Sequence, residues 1–136
     1  MSSEENKQLI AEIFRQKTDT GTNAPLLAAM EPDAVWTLTG SSRFSRDYQG
    51  PEDFRKNCLE LVTQQLAGVN KSHLRDIRAV DDQVFVQWRG ESQTHSGMRY
   101  DNEYCWIFTM NKGRITRVVA YLDTFLLEKL MDEAAA

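Results

Sequence analysis

Tyr100–Leu130, YDNEYCWIFTMNKGRITRVVAYLDTFLLEKL, is the stretch whose reading decides the fold. Tyr104, Trp106, Phe108 and Met110 alternate with Glu103, Cys105, Ile107 and Thr109, the period-two pattern of a strand. Asn111-Lys112-Gly113 supplies the turn. A second β-rich run, Ile115–Leu122, brings the chain back and leaves Asp123 at the strand's exit. A short amphipathic helix over about Thr124–Asp132 then carries Leu126, Leu127, Leu130 and Met131.

Working upstream, two further β-rich runs, Val84–Thr94 and His73–Val80, extend the same meander. Before them come helices. Ser2 and Glu5 fit a capping box, and Leu9, Ile10, Ile13 and Phe14 recur at helical spacing until about Thr18. Asn23 can cap a second helix through Met30, with Pro25 tolerated in its first turn. Ala34–Thr39 reads as a strand, and Gly40–Gly50 as a polar loop holding Phe44 and Tyr48. Pro51 opens a third helix whose inward stripe is Phe54, Cys58, Leu61, Val62, Gln65 and Leu66, with Gly68 ending it. Helices first and an antiparallel meander afterwards define an α+β chain. The Ala134–Ala136 tail is the only biased segment.

The 136 residues predict one domain spanning 1–136. A net charge of −4 argues against nucleic acid and anionic membranes as partners, since both select basic patches. No run of eighteen apolar residues predicts a bilayer span, and the polar, acidic MSSEENKQ start is unlike a secretory signal, so the expected location is cytoplasmic. Cys58 and Cys105 form no CxxC pair and read as buried free thiols. His73 and His95 lack metal-ligand spacing, so no metal is expected.

Four pieces carry a resemblance. They are DAVW at Asp33–Trp36, GPEDFRK at Gly50–Lys56, the strand GMRYDNEYCWIF at Gly97–Phe108, and the ending GRI…YLDT. Together they resemble the SnoaL-like, ketosteroid isomerase-related branch of the nuclear transport factor two-like superfamily, over nearly the whole chain. The resemblance implies a cone-shaped, strongly curved antiparallel sheet wrapped around the N-terminal helices, a cystatin-like α+β roll with a small-molecule cavity. It also implies a homodimer through the sheet, whose outer face is expected to carry Val84, Val86 and Trp88. The superfamily spans isomerases, dehydratases, cyclases, epoxide hydrolases and non-catalytic binding domains, so fold alone leaves the reaction open.

In the strand Val84–Thr94, Val84, Val86 and Trp88 share one parity and Gln87, Arg89, Glu91 and Gln93 the other. Arg89 and Glu91 lie side by side, either as a solvated ion pair worth ~0–1 kcal/mol or as part of a site. Arg89-Gly90-Glu91 with Asp123 resembles the triad of limonene-type epoxide hydrolases, which by position would make Asp123 the base, Glu91 the acid and Arg89 the bridge. Trp36 and Leu38 stand where those hydrolases carry a Tyr and an Asn that hold the water. The ketosteroid isomerase arrangement needs a carboxylate near Thr39–Ser42 and a tyrosine on the first helix, and neither occurs. Asp123 has two readings, a helix cap or an acid/base group. Asn102, Tyr104 and Trp106 share a strand face and, with Trp36 and Tyr48, form either plain aromatic core or the wall of a ligand pocket.

No glycine-rich phosphate loop and no serine nucleophile motif is present, so no cofactor is expected. The function expected is a cofactor-independent acid/base enzyme (a cyclase, isomerase, dehydratase or hydratase) acting on a small, mainly apolar ligand. The alternatives are a non-catalytic ligand-binding or dimerisation module and a limonene-type epoxide hydrolase.

Overall fold

The computed structural model describes residues 1–135; the last residue of the alanine tail lies outside them. Helix α1 (Ser3–Thr20) starts on the capping box, with Ser2 and Glu5 each satisfying the other's backbone N–H. It stops at Gly21, whose left-handed backbone lets its N–H return to the Lys17 carbonyl. After α2 (Ala24–Ala29) come β1 (Met30–Leu38) and β2 (Asp47–Gln49). Helix α3 (Gly50–Phe54) runs through a π-helical turn (Arg55–Leu59) into α4 (Glu60–Thr63). Strands β3 (Lys71–Val80), β4 (Gln83–Glu91), β5 (Asn102–Asn111) and β6 (Arg114–Leu122) form the meander, and α5 (Thr124–Ala135) follows. Lys112 and Gly113 both have positive φ, the turn that matches strand twist between β5 and β6.

The expected strongly curved, all-antiparallel cone is not what forms. The six strands make one open, mixed sheet in the order β2-β1-β6-β5-β4-β3, with β1 parallel to β6 and free edges at β2 and β3. The β3–β6 hairpins are sequential and could be read locally. The β1–β6 pairing joins strands some eighty residues apart, as Thr37 opposite Val119 shows, and no local pattern encodes it. Strand β1 begins four residues earlier than expected, at Met30. Pro32, which has no N–H to give to a ladder, falls where the β1–β6 register shifts between Met30 and Val35. The polar loop also contains β2, which pairs with β1 through Trp36 opposite Tyr48.

Helix α1 packs on β3 and β4, and α3 on β1, so one sheet face is covered. Val84, Val86 and Trp88 point to that covered side and are fully buried, which corrects their placement on an outer dimer face. The opposite face carries Phe85, Ile107, Val119, Cys105 and Tyr121, half-buried to exposed. Cys105 is therefore a surface-facing thiol, whereas Cys58 is buried. The third helix also departs from its expected stripe. The π turn admits an extra residue, so Leu59 joins Cys58 on the inner side while Leu61 is exposed. Among the described residues no helix is long and apolar enough to cross a membrane.

Candidate functional site

Between the covered sheet face and the helices lies a cavity of about 230 Å³. Its walls are aromatic. Trp36 stacks on Phe54 at 3.9 Å between ring centroids, Trp88 stacks on Tyr104 at 4.0 Å, and Trp106 meets both tryptophans edge-on at 4.9 and 4.8 Å. Ala120, Leu122 and Leu127 close the end beneath α5, and Gly21, Gly68 and Val69 frame the side near the end of α1. Val69 lies against Gly21 closely enough that a side chain on residue 21 would strike it.

Three buried polar atoms of the lining have no hydrogen-bond partner: the indole Nε1 of Trp36, that of Trp88, and Oδ1 of Asn70. Among the described residues Lys17 supplies the one charged side chain in the lining, which contains no aspartate, glutamate or histidine. Its Nζ donates to Asn23 Oδ1 at 3.0 Å and sits 4.8 Å over the Trp88 ring. Burial pulls its pKa from 10.5 down to about 8. The other titratable lining groups are held neutral. Burial pushes the Cys58 thiol up to about 11, raises the Tyr100 phenol, and raises Tyr104 well above the ordinary value.

Of the residues expected from sequence, Trp36, Tyr104 and Trp106 line this cavity. Tyr48 stands behind Phe54, edge-on at 5.8 Å, and its buried hydroxyl donates to the Phe44 carbonyl at 2.7 Å. Asn102 is buried beneath the strand ends. Its amide grips both backbone groups of Asp123, at 3.1 Å each, and also donates to the Tyr100 hydroxyl at 3.2 Å. Asp123 itself is exposed, and its Oδ1 accepts the Leu126 N–H at 3.1 Å, the geometry of an N-cap on α5.

Arg89 and Glu91 lie on the sheet face away from the cavity, since Trp88 and Gly90 take the inward parity. Arg89 donates to Glu103 at 2.9 Å and stands 3.6 Å from Glu91 and 3.8 Å from Asp101; Glu91 also meets His73 at 2.5 Å. The structure thus groups Arg89 with Glu91, but neither they nor Asp123 belong to the cavity lining. Lys17 was not singled out from sequence although its position signals it: it falls three residues after Phe14 and seven after Ile10, on the buried stripe of α1.

A family profile described as SnoaL-like domain matches residues 12–118. No curated protein matches. Solved structures do, at low identity. An NTF2-like protein from Burkholderia thailandensis E264 is 17% identical, with 93% of this chain and 96% of that one covered and a TM-score of 0.78. TerC, co-crystallized with polyporic acid, is 22% identical over 93% and 98%, at 0.75. A protein from Jannaschia sp. CCS1 assigned as a SnoaL-like polyketide cyclase is 15% identical over 90% and 91%, at 0.69. At such identities the likeness speaks to fold.

Proposed function

This chain belongs to the SnoaL-like domain family, and on that premise we propose that its cavity receives a small, mainly apolar molecule and moves protons on it without a cofactor. Cyclisation, isomerisation, dehydration and hydration are the reactions of this kind. One observation carries the reading: an aromatic cavity in which two indole N–H groups and an amide oxygen of the lining residues have no partner in the protein. Such groups are costly when left unmade, and a ligand's polar atoms supply the missing bonds. Burial keeps the phenols of Tyr100 and Tyr104 protonated, and a phenol of this pair can donate to an oxygen that gains charge as a proton leaves carbon. That TerC, a protein of this fold, was co-crystallized with polyporic acid is in keeping with a small-molecule role.

A second reading, binding without turnover, is favoured by the absence of carboxylate and imidazole from the lining. Epoxide hydrolysis draws no support from the positions of Arg89 and Glu91. Native mass spectrometry against a metabolite library in heavy water separates these readings. Retained molecules that gain carbon-bound deuterium which survives return to ordinary water, or that change mass, beyond a protein-free control show an enzyme; retained molecules that do neither show a binding module, and a library in which nothing is retained ends both. The outer sheet face, with Phe85, Ile107 and Val119 in one cross-strand row, is proposed to pair with a second copy of the chain.

A further inference from the structure

We propose that Lys17 is the polar anchor of the cavity, and that the ligand is an aromatic or alicyclic organic acid whose carboxylate or acidic enol oxygen pairs with the Lys17 ammonium group. The inference rests on the reading of the cavity as a small-molecule site and adds the charge of its occupant. Lys17 is 5% exposed and forms no ion pair with any described carboxylate; its single hydrogen bond, to Asn23 Oδ1, leaves two of the ammonium's three donors unused. A buried cation without a counter-ion is among the least favourable arrangements a fold can hold, and supplying the anion removes that cost.

The surroundings agree on the sign of the missing charge. Helix α2 carries no titratable group. Strand β3 turns Ser72 toward α1 and keeps Lys71 and His73 exposed, while β4 turns Trp88 and Gly90 inward. From the remaining walls only Cys58, Tyr100 and Tyr104 could ionise, and burial holds all three protonated near neutral pH. The unpartnered Trp88 N–H belongs to the ring beneath Nζ, and Trp36 supplies another free donor. Ammonium and indole N–H groups are donors only, so their shared complement is an acceptor-rich, negative oxygen. The stacked rings of Trp36, Phe54, Trp88 and Tyr104 suit a flat, apolar body behind it.

The pair 2-naphthoate and 2-naphthamide tests this, because they share shape and differ in charge. By isothermal titration calorimetry at about pH 7 the wild-type protein should bind the acid at least about tenfold more tightly than the amide. That preference should shrink as the pH rises toward about 10 and the amine loses its proton. In Lys17→Met, and in Lys17→Gln, which keeps a donor without the charge, the two probes should bind alike, with circular dichroism confirming the fold. Equal binding of acid and amide to the wild type overturns the anchor while leaving the small-molecule cavity standing. So does a preference that survives high pH or both substitutions. Binding of neither probe overturns the anchor together with the cavity reading.

Discussion

A buried amine that titrates near 8 when folded and near 10.5 when unfolded lowers stability at neutral pH and stops doing so as the solution becomes basic. Between those values the unfolded chain binds more protons, so stability rises with pH through that window. Lys17→Met removes the effect and keeps the side chain's length and apolar stem. It is expected to be the more stable protein at about pH 7, by up to ~3 kcal/mol before the lost bond to Asn23 is counted. The gap should close toward about pH 10.5; urea unfolding of both proteins across that range measures it, and a gap that does not change with pH would place the amine in water. Asp123 makes the opposite kind of case. Asp123→Asn keeps a capping oxygen and should unfold like the wild type, while Asp123→Ala should lose ~1 kcal/mol. The cap reading of Asp123 was available from its place before Thr124. Lys17 could also have been found, because it falls on the Ile10–Phe14 stripe of α1, where at least its apolar stem has to be buried.

Elements show where local pattern stops being informative. The β5–β6 hairpin was readable because alternation and turn chemistry are local, and α1 because its cap and stripe are. The π turn at Arg55–Leu59 has no comparable local signal: the expected stripe holds at Phe54, Cys58, Val62 and Leu66 but wrongly includes Leu61 and omits Leu59. The alternation along β4 is legible in the sequence, but which parity faces the helices depends on where α1 docks. That is a tertiary fact, and it reversed the expected faces of Trp88 and Arg89. Asn102 shows an element junction held by one side chain: both backbone groups of Asp123, where β6 gives way to α5, bond to its amide. Asn102→Ala should leave both groups without that partner, costing ~2–4 kcal/mol and speeding hydrogen exchange in α5 more than in β3 and β4. Uniform acceleration across the chain would instead mean that the residue supports the whole core.

For the molecule as a whole, the α+β class followed from element order, whereas the parallel β1–β6 contact that makes the sheet mixed and open did not. That open sheet has one face under helices and one with Phe85, Ile107 and Val119 aligned across β4, β5 and β6. Arg78 and Thr37 extend the row at its two ends, the Gln87–Cys105–Tyr121 row flanks it on one side and Arg117 on the other. A two-fold pairing of this face, as proposed, would bury the apolar row against itself, the self-complementarity an isologous interface requires. The aromatic cavity lies on the far side of the sheet, so assembly and ligand binding should separate. Light scattering at micromolar concentration should give twice the monomer mass for the wild type and the monomer mass for Ile107→Lys, because a charge at the centre of the row has no partner once covered. Binding of 2-naphthoate should be the same in both. A wild-type monomer would remove the interface, and a dimer that survives Ile107→Lys would place it on another surface.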